Sequence, residues 1–242
     1  MNVIFSHTLK QLNISVPWSC FIVGTDTGIG KTYFARLLLN YLTAHSQYKH
    51  LKIVGMKPVA AGTTLINGVL SNDDVIQLRA ASNMAVSPQL DNPVLLHEAV
   101  SPHIAAAIAG LMIDIPHLVA CHQTLMQSAD IVIVEGAGGF YVPLSPKATG
   151  ADLASALNIP VILVVGLRLG CLNHAHLTAQ AIRHEGLQLI GWVANELEPN
   201  MPVQQDNIQY LQGILNVPLL AHIPYQNLED LEDKMIINSD IV

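Results

Sequence analysis

Apolar residues along this chain gather into short, nearly unbroken runs at 19–23, 51–54, 131–134, 161–165, 189–193 and 218–221, each followed within two residues by a glycine or a polar side chain. Runs of four or five residues without strict alternation fit strands buried on both faces. Between them, 33–41, 74–81, 117–128, 173–184 and 203–215 place their apolar residues at helical spacing. Alternation of this kind predicts a single α/β domain, a mostly parallel sheet flanked by helices on both faces and joined by right-handed crossovers. In such sheets ligands bind beyond the carboxyl ends of the strands, so the residues that end each run are where chemistry is expected.

The first run ends most informatively. Ser19–Val23 breaks into Gly24-Thr-Asp-Thr-Gly-Ile-Gly30-Lys31-Thr32, which reads as a strand feeding a phosphate-binding loop. Its glycines let backbone N–H groups approach a polyphosphate, Lys31 reaches the β/γ oxygens, and the Thr32 hydroxyl suits Mg²⁺. The helical stretch from Tyr33 sets the phosphates on a helix N-terminus. The spacing Gly24-x5-Gly30-Lys31-Thr32 is one residue longer than the common form.

Other strand ends add to this. Lys57 follows 51–54 and is suited to neutralise a transferring phosphoryl group, or else is a solvated turn lysine. Glu135 follows 131–134 and precedes a thin Gly136–Gly139 loop, the layout of a metal-facing carboxylate. In Asn72-Asp73-Asp74 one aspartate is expected to cap the helix and the other to face Mg²⁺. Gly170–Asn173 opens a helix and forms either an anion pocket or an ordinary cap by Asn173. Asn195-Glu196 offers an amide to a purine edge, and Pro224-Tyr225 could flank the base.

Composition narrows the function. The 242 residues are 51% hydrophobic and 12% charged, with formal net charge −7 and no Lys/Arg-rich run, which disfavours nucleic acid as partner. No apolar stretch reaches the roughly 18–20 residues of a membrane span. Residues 1–18 lack the features of a secretory signal and are expected to be an N-terminal extension, partly disordered, ahead of a domain at 19–242. Three cysteines without C-x-x-C spacing fit a reduced, cytoplasmic setting.

Taken in order, Gly-Thr-Asp-Thr-x-x-Gly-Lys-Thr (24–32), Lys-Pro-Val-Ala (57–60), Asp74, Ser-Pro-His (101–103), Val-Glu-Gly-Ala-Gly-Gly (134–139), Leu-Gly-Cys-Leu-Asn-His (169–174) and Gly-Trp-Val-Ala-Asn (191–195) resemble the dethiobiotin synthetase family of P-loop proteins. The resemblance implies a homodimeric ligase of biotin biosynthesis, with active sites shared across the interface. It would carboxylate 7,8-diaminononanoate with CO2 and close the ureido ring at the expense of ATP, with Mg²⁺. It further implies that Lys31 and Lys57 hold the carbamate and γ-phosphate, and that Thr32, Asp74 and Glu135 bind Mg²⁺. Gly28, Ile29, Gly30 and Tyr33 belong to the nucleotide loop, while Asn195, Glu196, Pro224 and Tyr225 frame adenine. Thr27, Ala61, Gly138 and Gly170, Cys171, Leu172 and Asn173 face the substrate. Some members carry Glu where Gly28 stands and Ser where Ala61 stands. The alternative is a partner-binding ATPase switch of the partitioning type; that group carries a signature lysine where this chain has Asp26.

Overall fold

The structure, a computed structural model, describes residues 4–5, 14–66 and 68–225. In chain order the elements are β1 (Ile4–Phe5), β2 (Trp18–Gly24), α1 (Lys31–Ala44), β3 (Ile53–Met56), β4 (Val59–Ala61), β5 (Thr64–Ile66), β6 (Val69–Ser71), α2 (Asp73–Ala81), α3 (Pro88–Asp91), β7 (Val94–Leu96), α4 (Pro102–Ile108), α5 (Ile115–Ser128), β8 (Ile131–Gly139), α6 (Gly150–Leu157), β9 (Val161–Leu167), α7 (Cys171–His184), β10 (Leu189–Glu196), α8 (Gln204–Leu215) and β11 (Leu219–Ile223).

Seven strands form the main sheet in the order β1-β11-β10-β9-β2-β8-β3. Every pairing is parallel except that of β1, which runs antiparallel to β11 and brings Ile4–Phe5 of the expected extension onto the sheet edge. Alternate residues of each strand point to opposite faces. Phe21, Val23, Val132, Val134, Leu163 and Val165 join the core under α5, α6, α7 and α8, whereas Ile22, Ile131, Ile133, Ile162 and Val164 pack against α1 and α2. Burial on both faces is what made these strands read as continuous apolar runs.

The chain turns to one side of β2 through α1 to reach β3, returns to lay β8 between them, and then crosses to β9 on the other side. The carboxyl end of β2 therefore lies where the order of strands reverses, the place where open α/β sheets bind ligands. Two small pairings flank the main sheet: β4 lies parallel to β7, and β5 and β6 form a hairpin.

Two cap assignments differ from the sequence expectation. Neither Asp73 nor Asp74 caps α2; the Asn72 side chain does, accepting from the N–H groups of Asp74 and Val75. Both aspartates are thereby released into the first turn. At α7 the cap position belongs to Gly170, at φ 95°, with no side-chain cap bond, and Asn173 sits inside the helix.

Candidate active site

The loop after β2 is held in shape by its own protein partners. The Asn195 amide at the end of β10 donates to the Ile29 carbonyl at 2.9 Å, and a Cβ on Gly30, at φ 90°, would collide with that amide. Asp26 accepts from the Thr27 N–H at 2.7 Å and from Arg168 at 2.6 Å, which ties the loop to the segment that leads into α7. The Thr27 backbone bond comes first among the causes that hold the Asp26 pKa below the ordinary value, with the Arg168 guanidinium adding to it. Ile29 is buried in the core, and Gly28, at φ 72°, has open space around it.

Lys31 is buried, and its Nζ donates to the Asp26 carbonyl at 2.8 Å. Burial first, and then the neighbouring Lys57 charge, push its pKa down to about 8, with Glu135, Asp74 and Asp26 offsetting part of the effect. A bound phosphate would favour the charged form again.

Thr32, Lys57, Asp74 and Glu135 meet beside the loop. The Thr32 hydroxyl lies 2.8 Å from Asp74 Oδ1 and 2.7 Å from Glu135 Oε1. Lys57 Nζ stands 2.5 Å from Glu135 Oε1 and 2.9 Å from Asp74 Oδ2. Lys57 is 4% exposed, so the solvated-turn alternative for this residue is overturned. Burial lowers its pKa, but the two carboxylates outweigh burial and leave it raised. Burial likewise pushes the Asp74 carboxyl up, and Lys57, Thr32 and Lys31 together bring it below the ordinary range. Asp73 points to solvent.

These residues fit a magnesium ion. Glu135 is fully buried, and its Oε2 has no hydrogen-bond partner, an orphaned acceptor of the kind a cation satisfies. The donors are hard oxygens: two carboxylates and a hydroxyl. Among the described residues no group of three or more His, Cys, Asp or Glu could hold a metal ion.

Glu196, at the end of β10, accepts from Gln204 and His222 at 2.6 and 2.7 Å through one oxygen and from the Tyr225 N–H at 2.9 Å through the other. Its carboxylate thereby ties the 222–225 segment to the end of β10. At α7, the Cys171 N–H already bonds to Arg168 O at 3.0 Å and the Cys171 side chain is buried in the core, so Leu172 and Asn173 carry the open N–H donors of that terminus. Ala61 ends β4, and its carbonyl and that of Gly62 take the Asn72 amide. Gly138 faces Thr27: a Cβ there would come 3.5 Å from the Thr27 hydroxyl. Tyr33 carries the Arg36 guanidinium 5.0 Å from its ring centre. Sequence reasoning missed Arg168, whose bond to Asp26 spans 142 residues and leaves no local pattern, and Gln204, which reaches back across a loop to Glu196.

A glycine loop at the carboxyl end of a central parallel strand, with two carboxylates, a hydroxyl and two buried lysines around it, defines a P-loop protein built to handle a nucleoside triphosphate. The family model described as AAA domain matches residues 19–233. The ATP-dependent dethiobiotin synthetase BioD of Janthinobacterium sp. (strain Marseille) is 46% identical over 215 residues, covering 87% of this chain and 89% of the relative. This chain belongs to the dethiobiotin synthetase family. Among solved structures, a ParA family ATPase from Chlorobium tepidum TLS superposes with a TM-score of 0.55 at 15% identity, covering 90% of this chain and 88% of that one. The MinD cell division protein of Aquifex aeolicus gives 0.54 at 17%, covering 89% and 84%. At such identities they share the fold alone.

Proposed function

We propose that this chain is an ATP-dependent cyclo-ligase that converts 7,8-diaminononanoate and CO2 to dethiobiotin in biotin biosynthesis, in the cytoplasm. One amine takes up CO2 as a carbamate. A carbamate oxygen attacks the γ-phosphorus, forming a carbamic-phosphoric anhydride and releasing ADP. The second amine then attacks the carbonyl carbon, expels phosphate and closes the ureido ring. The observation that carries this reading is the buried Lys57 ammonium, held beside the phosphate loop by Asp74 and Glu135. Such chemistry is positioning and charge stabilisation.

In this reading Gly28–Tyr33 wraps the phosphates while Asn195, Pro224 and Tyr225 frame the base, with Glu196 holding the last two. Lys31 and Lys57 meet the charge that moves from carbamate to phosphate. Thr32, Asp74 and Glu135 would hold Mg²⁺, which supplies charge neutralisation at the phosphate oxygens. Thr27, Ala61 and Gly138 line the diamine, and the open end of α7 at Gly170–Asn173 receives the tail carboxylate. That last contact is made across a two-fold homodimer.

The test is turnover of 7,8-diaminononanoate with bicarbonate, Mg²⁺ and ATP. ADP and phosphate are expected only when the diamine and CO2 are both present, because the phosphoryl acceptor is the carbamate. Comparable hydrolysis without the diamine would favour the partner-binding switch instead.

A further inference from the structure

Lys57 lies on the short link between β3 and β4, a segment too brief to fix a side chain by itself. What holds it comes from 34 residues or more further along the chain. The Lys57 N–H donates to the Asp91 carbonyl at 2.7 Å, and the Asn92 amide donates to the Lys57 carbonyl at 2.7 Å and to Val94 O at 3.2 Å. Both backbone groups of Lys57 are thus taken by one dipeptide. Asp91 and Asn92 are buried, at 3% and 7% exposure.

The Asp91 side chain is anchored in turn. Arg79 Nε and Nη2 reach its two carboxylate oxygens, each at 2.6 Å, a bidentate pair with fixed geometry. Arg79 stands on α2, the helix that carries Asp74, and Asp74 meets the Lys57 ammonium. A closed circuit results: α2 grips the ammonium through Asp74 and the backbone of the same lysine through Arg79 and Asp91. Cavities of about 300 and 290 Å³ open on either side of Arg79, one lined also by Asp91 and the other by Asn92. The Arg79–Asp91 ion pair spans from α2 to α3 between these openings.

We infer that Asn92, supported by the Arg79–Asp91 pair, is a positioning residue for Lys57, fixing where the ammonium stands relative to Asp74 and Glu135. The inference builds on the reading of Lys57 as a catalytic residue, but it concerns the geometry of the lysine and can be read without any substrate. An Asn92→Asp change keeps the side-chain shape while replacing the N–H donor with an acceptor, which would face the Lys57 carbonyl unfavourably.

The experiment follows the Lys57 ammonium directly, by nitrogen NMR of full-length protein carrying labelled lysine, with the signal assigned by its loss in Lys57→Arg. In the unmodified protein the buried ammonium is protected from exchange with water. In Asn92→Asp and Asn92→Ala its signal is expected to shift and its exchange to accelerate about tenfold or more, and kcat to fall by roughly tenfold to a hundredfold at a KM for ATP within about twofold. An unchanged lysine signal and unchanged kcat, with only the melting temperature lowered, would make Asn92 a structural residue and overturn the inference. Failure of the unmodified protein to turn over the diamine would count against the proposed function, while the lysine signal still decides the positioning claim. If the Asn92 variants do not fold, Arg79→Met, which loosens the same circuit from its solvent-facing side, gives the same two readings.

Discussion

Asp73 and Asp74 are neighbours of the same type in the first turn of α2, and only their direction separates them. Asp74 turns in to Thr32 and Lys57, while Asp73 faces water. Asp74→Asn is accordingly expected to raise the half-saturating Mg²⁺ concentration about tenfold or more, and Asp73→Asn to leave it unchanged, as measured by Mg²⁺ titration of turnover. A raised requirement in Asp73→Asn alone would reverse the assignment. The sequence left the choice between the two aspartates to the resemblance, which names Asp74, the one that turns in to Thr32 and Lys57. It also gave the cap to an aspartate when Asn72, a residue type equally suited to capping, holds it. Lys31, Thr32, Lys57 and Glu135 were legible because each ends or follows a strand that the hydrophobic pattern marks. Asn92 and Arg79 were not, because their contacts depend on tertiary proximity alone.

Among the elements, the parallel strands were legible through their runs of buried Val, Ile and Leu, and the long helices through their spacing. The β4–β7 pair, the β5–β6 hairpin and the short α3 were missed, each too brief to show a period. Two legible elements are joined by a link that carries a pH consequence. Ser19 of β2 donates its single hydroxyl proton to Val132 O at 2.7 Å, so at 2.9 Å it must accept from His122 Nε2 on α5, which fixes that imidazole's proton on Nε2. His122 is buried, and burial lowers its pKa below the ordinary histidine value. A histidine that resists protonation in the fold takes up its proton more readily when unfolded. Its contribution to stability is therefore complete above the unfolded pKa and lost as pH falls through the folded one. Urea unfolding followed between about pH 5.5 and 7.5, a window spanning the ordinary histidine value, should show a smaller loss of stability toward acid in His122→Gln than in the unmodified protein. Parallel losses in the two proteins would remove His122 from the account.

At the scale of the whole molecule, the phosphate loop and the open end of α7 follow neighbouring strands, β2 and β9, and Arg168 links them within one chain. The proposed homodimer instead has the α7 terminus of one chain serve the Lys57 of the other. Mixing inactive Lys57→Ala with inactive Gly170→Val/Asn173→Ala should then restore activity, up to one working site per mixed dimer. The glycine change is chosen because φ 95° is strained for any side chain. Continued inactivity, in a mixture shown by mass measurement to contain heterodimers, would put both elements in one chain's site. No helix among the described residues is long and apolar enough to cross a membrane. The pairing of Lys57 with Asp74 and Glu135, and of Lys31 with a loop carbonyl, has one more consequence. A polyphosphate arriving alone would bring its negative charge up against Asp74 and Glu135. A divalent cation arriving alone would crowd the Lys57 ammonium. Only a visitor that carries both signs at once leaves each group facing its opposite, so the pocket is expected to work as a coincidence detector, taking cation and polyphosphate together more readily than either alone.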